Sequence, residues 1–464
     1  MSDETIALHR FGLGACPDEP APADPKAWLL DQFGRFDPRP AAIATVSGSA
    51  VVAADLADYS ARVRAIRQGS PGDDAAVRDQ VQAARQFANR QGQDFYAAAV
   101  GARATAALTT PAPFVERLVH FWANHFAVSA DKLEVTGLAG TMEFEAIRPH
   151  VLGRFADMLA AVERHPAMLL YLDQAVSIGP DSAAGARGNG RRGLNENLAR
   201  EAMELHTLGV RSVYTQADVT ELARALTGWT VVGVGNGPGA RLPGEPGRFA
   251  FAPALHEPGE RAILGRRHPA GGEEQAAAML ADLAAHPATA THLATKLARH
   301  FAGDQPSPAM VKRLADAYLG SGGDLPTVYR ALVASPEAWA PGTVKFRTPW
   351  EWSIGALRAM GYRETPPAPF VGLLNQLGQP TWKPGAPAGY DDIAGSWAGP
   401  DAVLRRVEAA ERLASRAPLI DARQLAPKLF PGAPDPALSQ ALARAESPGQ
   451  ALALLLVAPP MMRR

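Results

Sequence analysis

A single cysteine, Cys16, stands among 464 residues. An intramolecular disulfide framework and a cysteine zinc cluster are therefore excluded. Neither sign of charge prevails: 46 Lys and Arg face 47 Asp and Glu, for a net charge of −1 and a pI near 6.9. That balance removes any global argument for nucleic acid or a membrane surface. No apolar run approaches the roughly 20 residues a membrane-spanning helix needs, and ALALLLVA near the C-terminus is too short. The opening residues, MSDETIALHR, lack a basic region followed by an apolar one, so the cytoplasm is the expected compartment. Reaction motifs are missing too. There is no HExxH, no paired ExxH, no aspartate cluster and no G-x-S-x-G, which leaves metallohydrolase and serine-hydrolase chemistry without a motif.

What is present is a helical pattern. Hydrophobic residues make up 47% of the chain, enough for a sizeable core. The periodicity predicts a mainly α fold, one large multi-helical body over residues 1–464. Long Ala/Arg/Gln-rich helices fill residues 50–108, broken near Gly69–Pro71. Short β-like runs separated by Gly and Pro turns predict a small antiparallel hairpin or three-stranded insertion around 230–268. A Gly/Arg-rich loop at 179–193 carries Arg187, Arg191 and Arg192. A Pro/Gly/aromatic segment at 366–400, with Trp382, Tyr390 and Trp397, reads as a covering loop.

The densest stretch runs from Leu194 to Trp229 and predicts two helices joined by a turn. In the first, Leu194, Leu198, Ala202, Leu205 and Leu208 share a face at about 100° per residue. Glu196, Arg200 and Glu204 form a separate charged stripe. Glu201 projects inside the apolar face, where a carboxylate must be paired, hydrogen-bonded or protonated. Gly209 is a fitting end to the first helix. Thr215 and Asp218 spell a capping box for the second, which Gly228 ends.

The runs NENLAREAMELHTLGV and YTQADVTELARALTGW resemble the signature of the bacterial domain-of-unknown-function 1800 family. So do HRFGLG at His9–Gly14, FWANHFAVS at Phe121–Ser129, PAMLLYLD at Pro166–Asp173 and HEPGERAILG at His256–Gly265. HPATATHLATKLARHF at His286–Phe301 and KFRTPWEW at Lys345–Trp352 extend the likeness over nearly the whole chain. The resemblance implies no reaction, cofactor or ligand. It implies an exported location as the alternative to the cytoplasm, and a sulfatase-like protein as a partner.

The residues leave three functions open. Asn195, Glu196 and Asn197 at a helix start, with Arg200, His256 and Lys296, would bind an anionic ligand or partner. Lys296 lies between His292 and His300 at i, i+4 and i+8. That spacing is too long for one metal ion, so the stripe argues for anion contact or surface. An acid–base or metal-dependent enzyme would pair Glu201 with His125, which sits inside the apolar face of the helix after Pro113, with His256 as a further ligand. In the third reading the polar residues only fix helix register, and His125 is a satisfied core histidine. The stripe Glu116, His120 and Asn124 reads as a solvated or hydrogen-bonded surface.

Overall fold

Small side chains let the two longest helices pack against each other. The computed structural model describes residues 1–69, 74–187, 193–235, 237–417, 420–432 and 435–464. Helix α1 spans Ser49–Gly69 and packs along α2, Asp74–Thr109. The expected break at Gly69–Pro71 falls partly outside the described residues. By length and composition Ala41–Gly69 is long and apolar enough to cross a membrane, a run that the sequence reading passed over. It folds as two helices, Ala41–Ala44 and α1, interrupted at 45–48.

Proline at the first helical turn recurs, where its missing N–H costs nothing. It opens α3 at Pro113–His125, α7 at Pro287–Ala302, α8 at Pro349–Ala359, α9 at Pro367–Leu377 and α10 at Pro400–Ser415. Between α3 and α7 lie α4 (Phe155–Glu163), α5 (Asn197–Glu201) and α6 (Gln216–Leu226). The α5 axis continues through a wider π turn, Ala202–His206. The expected capping box forms: the Thr215 and Asp218 side chains each accept from the other's backbone N–H.

The small antiparallel β insertion forms as expected, among the described residues as two two-stranded sheets. Trp229–Val231 (β1) pairs with Phe249–Phe251 (β2), and Arg261–Ile263 (β3) pairs with Arg266–His268 (β4). One continuous apolar cluster runs from Ile6 to Met462, so the two ends of the chain share a core. Segment 366–400 is less loop-like than its composition suggested, since α9 occupies its first part.

Candidate functional site

Helix α3 is buried along most of its surface, Glu116 and Arg117 included, with His120 and Asn124 part-buried. The Glu116, His120, Asn124 stripe is hydrogen-bonded rather than solvated: its members pair with Arg148, Trp350 and Tyr390. A cavity of about 110 Å³ opens beside it, walled by α3, α7, the start of α8 and the loop after α9. Phe121, Trp350, Trp382 and Tyr390 supply aromatic wall; Arg103, Arg117, Lys296, Glu351 and Asp392 supply charge. Of the lining residues Asp391 alone is exposed, which puts the mouth at the covering loop.

That loop is pinned. Asn124 donates to the Tyr390 carbonyl at 2.8 Å and accepts from its N–H at 2.8 Å. This approach needs Gly389, with φ +79°, because a Cβ there would lie 2.3 Å from the Asn124 carbonyl oxygen. Trp382 holds a left-handed φ of 48°. Its indole N–H donates to Glu143 at 2.9 Å, and Glu143 in turn pairs with Arg103 at 2.8 Å. The Arg103 guanidinium stacks 4.0 Å from the Trp350 ring centre.

Most buried charge in this region is matched. Arg148 grips Glu116 with two bonds, 2.6 and 3.0 Å. Burial pushes the Glu116 carboxyl up, but Arg148 and His120 outweigh it and hold it at about 2. Glu351 lies between Arg117 and Arg464, the latter at 2.9 Å. Burial again raises its pKa, and the two guanidiniums bring it below the usual carboxylate range. Asp392 pairs with His300 at 2.9 Å and Lys345 at 2.8 Å. The HRFGLG turn feeds the same network. The Gly12 and Gly14 carbonyls accept from Arg117 and Arg358, and His9 Nδ1 accepts from Arg347. Together with the aromatic clusters, these contacts form an internal network that stabilises the helical body.

Lys296 differs. Its ammonium lines the cavity and forms no ion pair among the described residues. Its polar contact is to His125 Nδ1, at 2.9 Å. Burial lowers its pKa from 10.5 to about 8, with Asp392 opposing and Arg299 adding to the shift. His125 is 1% exposed. Burial, then Lys296, pushes its pKa well below the ordinary histidine value. Its Nε2 lies 3.1 Å from the His206 carbonyl. The last carbonyls of a helix lack partners within it; here the Leu205 and His206 carbonyls meet the rings of His292 and His125. The His206 ring sits 2.6 Å from Glu163, both side chains fully buried.

The remaining expected site residues lie elsewhere. Glu201 does not meet His125. It is half-buried, forms no hydrogen bond or ion pair among the described residues, and is raised in pKa by burial. Glu196 and Arg200 pair at 3.2 Å, and Glu196 accepts from Thr220 and Gln216, tying α5 to α6. Asn195 caps its own turn, donating to the Leu172 and Asp173 carbonyls and accepting from the Asn197 N–H. Both His256 ring nitrogens face backbone carbonyls, of Thr227 and Gly271. The metal set Glu201, His125 and His256 is therefore not assembled, and no group of three such ligands comes together among the described residues. Arg187 is exposed; Arg191 and Arg192 lie outside the described residues.

Glu163, His206, Arg103, Glu351 and Asp392 were missed as site residues. A signal was available for His206, in MELHTLGV, and Glu351, in KFRTPWEW, whereas Arg103 and Asp392 lie outside the motifs. A family model described as "Protein of unknown function (DUF1800)" matches residues 6–463. No curated protein and no solved structure matches the chain.

Proposed function

We propose that this chain, which belongs to the DUF1800 family, binds a small anionic ligand in the cavity between α3, α7 and the covering loop. The observation that carries the reading is Lys296: of the cations lining the cavity it alone has no carboxylate partner among the described residues, whereas Arg103 and Arg117 are paired. A desolvated cation without a partner is unfavourable until an anion supplies one. The aromatic wall offers apolar contact for the rest of the ligand, the usual division of labour in small-molecule sites. At about 110 Å³ the cavity suits a compact molecule, not a polymer.

The test is titration of the full chain with small carboxylates and phosphates, followed by Trp350 and Trp382 fluorescence and by calorimetry. Saturable binding that is lost in Lys296→Met and kept in Lys296→Arg supports the reading. Binding unaltered in Lys296→Met, or none across the panel, sinks it. A second reading has its own support. The matched pairs Glu116–Arg148, Arg103–Glu143 and Arg117–Glu351–Arg464 are what a purely structural network requires. It predicts no ligand at all. The sulfatase-like partner implied by the sequence resemblance is tested by co-purification of the two expressed together.

A further inference from the structure

The hydrogen bonds around His125 fix which nitrogen carries its proton. Nε2 faces a backbone carbonyl, which only accepts, so Nε2 holds the hydrogen. Nδ1 is left with a lone pair aimed at Lys296 Nζ, 2.9 Å away. Glu163 anchors the His206 ring, so the carbonyl that sets this tautomer is itself held in place. The π turn over Ala202–His206 is closed by Thr207, whose hydroxyl donates to the Ala202 carbonyl at 2.6 Å. A primary amine, a base of fixed tautomer and an aromatic-walled cavity thus meet at one point.

We propose that Lys296 captures a small oxo acid covalently, its amine condensing with the ligand's aldehyde or ketone carbon to form an imine. This rests on the reading of the cavity as an anion site and names the ligand class. The nucleophile is the fraction of Lys296 that has given its proton to water, its amine held by a hydrogen bond to His125 Nδ1. The amine lone pair forms the C–N bond, the carbonyl π pair moves to oxygen, and a proton passes from the new, positively charged nitrogen to that oxygen to give the carbinolamine. The carbinolamine hydroxyl then takes back the released proton from water and leaves as water, its C–O bond breaking as the nitrogen lone pair forms the C=N bond. The product is an iminium: one amine and one carbonyl are consumed, one water leaves, and no oxidant or reductant is needed. The iminium keeps the positive charge, so the carboxylate of the same ligand keeps its partner. With a pKa of about 8, about a tenth of Lys296 is the free amine at neutral pH, against about three in ten thousand for an ordinary lysine.

The experiment uses the full chain with glyoxylate or pyruvate and cyanoborohydride, read by intact mass and peptide mapping. One adduct at Lys296 is expected, formed at least tenfold faster than at Lys26, Lys132, Lys312, Lys345, Lys383 or Lys428. Its rate should rise with pH to an inflection near 8, as set by the groups around the amine: His125, His206, His292, Arg299, His300 and Asp392. Lys296→Arg should form no adduct, and His125→Asn should form it at least tenfold more slowly with Lys296 intact. Melting temperatures confirm that each variant is folded. Adducts spread evenly over the lysines overturn the proposal, as does an unchanged rate in His125→Asn. Glycolate and lactate, which carry the acid without the carbonyl, separate the two claims. Their saturable binding without a Lys296 adduct from the oxo acids overturns imine formation alone, whereas no binding by any of the four acids overturns both.

Discussion

Lys296 Nζ donates to His125 Nδ1 across 2.9 Å, joining α7 to α3 through two side chains that both resist protonation where they stand. The folded-state pKa of Lys296, about 8, lies below the ordinary 10.5. The folded protein therefore holds this proton less tightly than the unfolded chain does. The protonated lysine costs stability in full below pH 8, and the cost fades as pH rises from about 8 to 10.5. Lys296→Met removes that cost, less the lost hydrogen bond. It is expected to melt higher than the parent at pH 7, by the equivalent of about 1–3 kcal/mol, with the gain gone by pH 10.5. Thermal melts of both proteins across this range check it; a variant that melts lower at pH 7 contradicts the burial argument.

Acid should act through different groups. The folded-state pKa of Glu116, about 2, and that of Glu351 both lie below the ordinary carboxyl value of 4.5. Each contributes stability that is complete above the unfolded value and is lost as pH falls from about 4.5 toward the folded one. Glu116 alone accounts for a contribution on the order of 3 kcal/mol. Glu116→Gln is expected to destabilise at pH 7 and to flatten the dependence of denaturant midpoint on pH between 5 and 3. An equally steep profile in the variant would show that acid unfolding runs through other carboxylates.

Glu201 and Glu351 show what the sequence made legible. Helical periodicity, prolines at helix starts and the Thr215 capping box depend on neighbours within one turn, and these were readable. So was the anomaly of Glu201 on an apolar face. What was not readable was its burial depth, which depends on what packs against that face: the structure leaves it half-exposed and without a partner among the described residues. Glu351 stands between Trp350 and Trp352 in KFRTPWEW. Its partners Arg117 and Arg464 are 234 residues before it and at the far end of the chain, and no local pattern encodes such pairing. His125 was correctly placed on an apolar face, but its neighbours, Lys296 and His206, come from α7 and the π turn.

The two carboxylates, on separate helices, should therefore respond differently to substitution. Glu201→Gln is expected to leave stability within about 0.5 kcal/mol of the parent at pH 7, as for a half-exposed group with nothing to lose. Burial raises its folded-state pKa above 4.5, so any change should be a slight gain above that range, where the parent must keep the charge. Glu351→Gln strips the counter-charge from two buried guanidiniums and should cost about 3–5 kcal/mol. Urea midpoints of the pair decide this. A large loss from Glu201→Gln would mean that it has a buried partner in solution.

Gly389 offers a test of the covering loop without touching any charge. Its φ of +79° and the 2.3 Å approach of a Cβ to the Asn124 carbonyl leave a side chain nowhere to go. Gly389→Ala should break both Asn124–Tyr390 hydrogen bonds and lift Tyr390 from the cavity wall, at a cost of about 1–3 kcal/mol. Because the loop joins α9 to α10 at the surface of the mouth, the damage should stay local. Limited proteolysis is expected to cut the variant near Gly385–Asp392, where the parent resists, with the helical circular dichroism unchanged. Ligand that enters under this loop should bind more weakly to the variant, by both faster entry and much faster release. A variant as resistant as the parent would show that the loop is held by its other anchors, Lys345 to Asp392 and the Ala394 N–H to Asp304, and that Asn124 contributes little.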